Sequence, residues 1–189
     1  MESDSGMDST ALVDLYAQPG HLLRRAQQIS VSIFHDELPD VTPVQYAVLR
    51  TLVEHPGIDQ VTLAGLVAID TSTAASVAIR LEEKGLLHRY LDANNRRQRA
   101  LHLTEAGLAM LHTCARGIGR LGARLFEDFS AQEQAQFMHL LQKLVHLKNE
   151  ESRAPFAAKT SKTLRRKKPV AVMPESAPEQ LMPEQVMPE

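Results

Sequence analysis

One cysteine, no tryptophan, three tyrosines and five phenylalanines stand in a chain of 189 residues. The lone Cys114 excludes an internal disulfide framework and a cysteine-based zinc site. No apolar run approaches the roughly 20 residues that span a bilayer. The first residues, MESDSGMDST, are acidic and polar, unlike a signal peptide. There is no glycine-rich phosphate loop, and no nucleophile–base pair is set in a pocket motif. Glu82 and Glu83 are adjacent on a helix beside a lysine, and read as a surface pair, not a catalytic dyad. Eight histidines form no tight ligand cluster; His139 and His146, seven apart, come nearest to a shared face. These gaps argue against an enzyme, a metal sensor and a membrane protein. They point to a soluble cytoplasmic protein without a cofactor.

Net charge is only −2, but it is unevenly spread. Residues 1–18 carry four acids and no bases, and so do residues 169–189. Residues 152–168 carry seven bases and no acids, and residues 84–99 hold five bases against one acid. Local charge, not the overall balance, therefore carries the information about partners.

Helical periodicity organises the centre. Residues 1–18 read as a lead-in with a helical pattern near its end. Pro19 to about Leu38 reads as a helix, with Leu22, Ala26, Ile29 and Ile33 at helical spacing. Thr42, Pro43 and Gln45 give the capping-box signature of a second helix, which stops at Pro56–Gly57. A short helix follows in QVTLAGLVAI. The next helix, about Ser72 to Lys84, opens at an Asp/Thr/Ser cap and stops at Gly85. Two alternating runs, HRYL and RALHL, flank a turn-rich DANNRRQ and predict a two-stranded hairpin. Thr104 then caps a long helix striped by Leu108, Leu111, Ala115, Ile118, Gly122, Leu125 and Phe129. A Ser130/Glu133 capping box opens the sixth helix, with Phe137, Leu140, Leu141, Leu144 and Leu147 on one side. From about residue 151 the pattern dissolves into a basic segment and a tail that repeats Met-Pro-Glu three times, a composition expected to be disordered.

A short helix, a tight turn, a second helix and a wing define a winged helix-turn-helix. The fold expected is mainly α, with six helices and a small β-hairpin wing. The second helix opens with TSTAAS, small and hydroxylated residues that let it approach DNA closely. Thr71, Ser72, Thr73 and Ser76 can bond base edges or phosphates, Ala74 or Ala75 can touch a thymine methyl, and Arg80 adds charge. A small-residue helix packed against a neighbour is the bland alternative; the wing that follows at once favours DNA.

The run TSTAASVAIRLEEKGLLHRYLDANNRRQRALHLTEAG, with this element order, resembles the MarR family of winged-helix transcriptional regulators over about residues 19–150. GHLLRRAQQ, TPVQYAVL and HPGIDQ are also similar to a subgroup that governs breakdown of aromatic acids. The resemblance implies a winged helix-turn-helix over about 42–103 and a helical dimerisation region over about 19–38 and 104–150. The partners it implies are a second copy of the chain, double-stranded DNA with a near-palindromic operator, and a small effector. It implies a wing arginine in the minor groove, which maps to Arg97. The family's acidic partner for that arginine is replaced by Asn95, which can hold a guanidinium without the charge. Arg96 and Arg99 fit phosphate contacts or strand-surface positions.

The resemblance also implies a small aromatic carboxylate bound between the dimer-forming helices and the winged lobe. On the first helix His21, Arg25, Gln28 and Ser32 share one face, and Arg24 is the rival arginine, turned about 100° away. An arginine can take a carboxylate bidentately, a histidine can hold a hydroxyl, and Tyr46 can stack on a ring. Otherwise Arg24 and Arg25 are solvated or bridge subunits, and His21 is a surface residue at the helix start. The function expected is a homodimeric repressor released by its ligand. The alternatives are a ligand-independent DNA-binding protein or activator, and a redox sensor working through Cys114.

Overall fold

A computed structural model of the chain describes residues 14–91, 99–152 and 154–155. The helices are α1 (Pro19–Glu37), α2 (Pro43–Glu54), α3 (Gln60–Leu66), α4 (Thr71–Glu83), α5 (Glu105–Leu125) and α6 (Ala131–Leu147). The strands are β1 (Ile58–Asp59), β2 (Leu87–Leu91) and β3 (Arg99–Leu103). Among the described residues, no single helix is long and apolar enough to cross a membrane.

Local chemistry sets most helix ends. Thr42 accepts the Gln45 N–H at 3.2 Å while Gln45 Oε1 accepts the Thr42 N–H at 3.1 Å, the reciprocal box that starts α2. Ser130 and Glu133 repeat it at α6. Past α4, Gly85 takes φ +69° in the left-handed region. There its N–H reaches Glu82 O at 2.8 Å and the Leu86 N–H reaches Leu81 O at 2.9 Å, a Schellman ending. The tight turn after α3 keeps the longer of these bonds, Ile69 N–H to Ala64 O at 3.0 Å, and Ala68 holds the left-handed position, at φ 55°. That conformation crowds a Cβ, so the turn carries strain.

The hairpin is wider than expected. β2 pairs antiparallel with β3, Leu87 opposite Leu103 through Leu91 opposite Arg99. β1 then pairs with the other edge of β3, Ile58 opposite Leu101, so the sheet has three strands in the order β1-β3-β2. The two-stranded hairpin of the sequence reading is corrected to this extent. The inner face of the sheet gives Ile58, Leu87 and Leu101 to a core with Val48, Leu49, Leu52, Leu63, Ala78 and Leu81.

A second, smaller cluster joins α1 to α5: Phe34, Leu38, Val41 and Cys114, with Tyr46, Ile118 and Leu121 at its edge. Close approach here depends on Gly117, where an added Cβ would lie 2.8 Å from the Glu37 carbonyl oxygen. Of the expected α5 stripe, Leu111 and Ile118 pack against the two clusters. Gly107, Cys114 and Gly117 are the buried positions, Ala115 is exposed, and the helix ends at Leu125 before Phe129. Glu37 clamps the pair outside the core. Arg120 and Arg124 both bond its carboxylate, the latter at 2.9 Å, and together hold it below its ordinary pKa.

The start of α6 leans on a triad of rings, with Phe126 5.5 Å from Phe129 and 5.7 Å from Phe137. Beyond it, nothing of α6 is buried among the described residues. Leu140 and Leu147 are 53 % and 67 % exposed, and Leu22 and Ile29 on α1 are about half exposed. Two apolar helix faces thus stand open on one protomer.

Candidate functional site

Asp70 builds the start of α4. Its carboxylate accepts the Ser72 hydroxyl, the Thr73 N–H at 2.8 Å and the Thr73 hydroxyl at 2.7 Å. These bonds, the Ser72 hydroxyl first, hold Asp70 well below the usual carboxylate range. The Ser76 hydroxyl donates to the Ser72 carbonyl at 3.0 Å. The hydroxyl protons of Ser72, Thr73 and Ser76 are thus already engaged within the protein. Thr71 keeps its hydroxyl out of any hydrogen bond among the described residues, and its carbonyl receives Gln60 Nε2 at 3.3 Å.

The nominated α4 residues divide by exposure. Thr71, Ser72, Ser76 and Arg80 are exposed, and Thr73 and Ala75 are half-buried. Ala74 is fully buried in the protein and corrects the suggestion that it touches a thymine. Its i+4 and i+7 neighbours Ala78 and Leu81 are buried with it, which fixes the inner side of the helix. Ile79 is exposed on the outer side, and sequence reasoning passed over it.

The wing is tied to α4 at its base. Glu82 Oε1 accepts the Arg89 N–H at 3.0 Å and Oε2 accepts Arg89 Nε at 2.6 Å. Glu82 is partly buried, correcting its reading as a surface residue, and Arg89 holds its pKa below the ordinary value. Arg99, exposed at the start of β3, is near enough to add to that lowering. Asn95, Arg96 and Arg97 lie outside the described residues.

The first helix carries a second constellation. Arg24, Gln27, Gln28, Val31 and Ser32 line an open groove of about 500 Å³. His21 and Arg25 turn instead to Tyr16. The His21 ring meets Tyr16 edge-on at 5.2 Å, and the Arg25 guanidinium lies 5.8 Å from the tyrosine centroid. His21 Nε2 is buried and has no hydrogen-bond partner among the described residues. Along the face that His21, Arg25, Gln28 and Ser32 share on α1, the first two contact Tyr16 and the last two line the groove. Tyr46 joins neither group in the structure; it packs edge-on against Phe34 at 6.1 Å. Tyr16 was missed because it precedes the helix, in a short turn over Leu15–Ala17 that Asp14 caps. The signal was its place five residues before His21, across the Pro19 that starts the helix.

Helix, left-handed turn, exposed small-residue helix and three-stranded wing define a winged helix-turn-helix regulator. The family model for the MarR family matches residues 41–98. The transcriptional regulator HosA of Escherichia coli is 35% identical over 130 residues, covering 67% of this chain and 93% of HosA. The structure of the PcaV regulator from Streptomyces coelicolor, in complex with its natural ligand, superposes with a TM-score of 0.68. That match has 37% identity and covers 72% of this chain and 97% of PcaV. BpsR of Bordetella bronchiseptica, whose DNA binding is regulated by 6-hydroxynicotinic acid, gives a TM-score of 0.64 at 31% identity, covering 67% and 92%. The chain belongs to the MarR family of winged-helix transcriptional regulators.

Proposed function

We propose that this regulator is a homodimeric repressor that binds a near-palindromic operator and is released by a small aromatic carboxylate. The observation that carries the effector assignment is the buried His21 Nε2, without a hydrogen-bond partner among the described residues, beside Tyr16 and Arg25. A buried polar atom without a partner is costly, and a ligand hydroxyl or carboxylate offset against it removes that cost. Arg25 supplies the countercharge and Tyr16 an aromatic surface. Arg24, Gln28 and Ser32 line the adjoining groove and form the second half of the site. BpsR, which responds to an aromatic acid, supports the ligand class.

The open apolar faces of α1 and α6 support the dimer, because a second copy would cover both. Two α4 helices related by a two-fold axis then meet half-sites whose centres lie about 34 Å apart, or a multiple of it. Thr71, Ser72, Ala75, Ser76 and Arg80 face the major groove in this reading. Arg97 enters the minor groove, Arg96 and Arg99 approach phosphates, and Asn95 steadies the tip. Affinity falls steeply with salt as counterions return to the DNA. A cytoplasmic protein fits this role.

Footprinting on the protein's own upstream region, with and without benzoate, 4-hydroxybenzoate and 6-hydroxynicotinate, tests the reading. Protection that one of these acids abolishes, and that persists in the double variant Arg24→Ala/Arg25→Ala, is the expected result. Protection that no acid changes contradicts the effector assignment, and release undiminished in the double variant removes the arginines from it.

A further inference from the structure

On an ideal helix the outer side of α4 is centred on Ser72, Ser76, Ile79 and Glu83, opposite the buried Ala74, Ala78 and Leu81. Ile79 lies one turn beyond Ala75 and Ser76 and is 41 % exposed. A single exposed isoleucine is ordinary by itself. Here it is the one large apolar side chain on the outer side of this helix, and its neighbours there have lost their donors.

Ser72, Thr73 and Ser76 each spend their hydroxyl proton inside the protein, on Asp70 or on the Ser72 carbonyl. Phosphate oxygens accept hydrogen bonds and do not donate them. Ser72 and Thr73 therefore cannot donate to a phosphate without giving up their hydroxyl bonds to Asp70, nor can Ser76 without giving up its bond to the Ser72 carbonyl. What the side offers a groove is lone pairs and methyl groups, with the Thr71 hydroxyl and the Arg80 guanidinium at its margins. In the major groove the matching apolar feature is the thymine C5-methyl group.

We propose that Ile79, with the Cβ of Ala75 beside it, reads a thymine methyl in each half-site and thereby sets sequence preference. The inference rests on the DNA-binding reading above and adds a residue outside the hydroxyl-rich first turns. Ile79 belongs to neither buried cluster, so Ile79→Ala is expected to fold.

The test uses the full-length protein and the duplex it selects most tightly from a random-sequence pool. Each thymine of that duplex is replaced in turn by deoxyuridine, which removes only the methyl group. Wild type is expected to lose roughly fourfold in affinity at one thymine or more per half-site, the worth of one buried methyl. Ile79→Ala is expected to bind the thymine and uracil duplexes equally at those positions. The proposal is overturned if wild type is indifferent at every position, or if Ile79→Ala keeps the full wild-type discrimination. A pool from which no sequence is enriched overturns the DNA-binding reading itself, a distinct result.

Discussion

Glu82 of α4 grips Arg89 of β2 through its backbone N–H at 3.0 Å, its Nε at 2.6 Å and a terminal guanidinium nitrogen. The pair links the end of α4 to the first strand of the wing. Both side chains are shielded, at 31 % and 15 % exposure. Removing the carboxylate leaves a guanidinium partly buried without its partner, a loss of about 1–3 kcal/mol. Glu82→Gln is therefore expected to lower stability by an amount in that range at neutral pH. The Glu82 pKa is depressed in the folded state from its ordinary 4.5. Its stabilisation is thus complete above pH 4.5 and is lost as pH falls through the lower folded value. Urea unfolding of wild type and Glu82→Gln should show a gap at pH 7 that narrows in acid. A gap independent of pH contradicts the assignment.

Gly117 sets the distance between α5 and α1. An added Cβ would come 2.8 Å from both the Glu37 carbonyl oxygen and Leu38 Cδ2. Helix propensity favours alanine over glycine by about 1 kcal/mol, but overpacking costs about 1–3 kcal/mol. Gly117→Ala is expected to lower the melting temperature. An increase would show that the two helices part freely.

The capping boxes at Thr42 and Ser130 were legible because their partners lie three residues away and the chemistry is local. The helix order and the wing followed from periodicity for the same reason. β1 was not legible, since two residues, Ile58 and Asp59, show no alternation and their pairing with Leu101 and Ala100 is long-range. On α5, apolar spacing finds Leu111 and Ile118 but not the glycines that allow close packing on α1 and Leu86, Gly117 and Gly107. In the candidate ligand site Arg24, Gln28 and Ser32 were readable from helix geometry. The turn of His21 and Arg25 toward Tyr16 was not, because it depends on how residues 14–18 fold back on α1.

Ala68 occupies a backbone position that suits glycine, at φ 55° in the turn between α3 and α4. Relief of a left-handed Cβ clash is worth about 1–2 kcal/mol. Glycine's extra chain entropy takes back about 0.5–1 kcal/mol. Ala68→Gly is expected to raise stability by about 0.5–1 kcal/mol without changing operator affinity, as measured by denaturant unfolding and DNA titration. Destabilisation would show that the alanine methyl packs usefully.

The exposed leucines of α6 should matter only between subunits. Leu140 and Leu144, one turn apart and 53 % and 43 % exposed, touch no core in the protomer. Leu140→Glu with Leu144→Glu is expected to yield a folded monomer by sedimentation, with cooperative operator binding lost. A variant that stays dimeric places the interface elsewhere.

Linkage supplies the most direct measurement. If ligand and DNA favour different spacings of the two α4 helices, each weakens the other by the same factor. Affinity for the operator duplex is measured with and without saturating aromatic carboxylate, and affinity for that acid with and without operator. Equal factors well above one are expected for wild type, falling toward one in His21→Ala. An operator affinity unchanged at saturating ligand would contradict the proposal that this regulator is released by its effector.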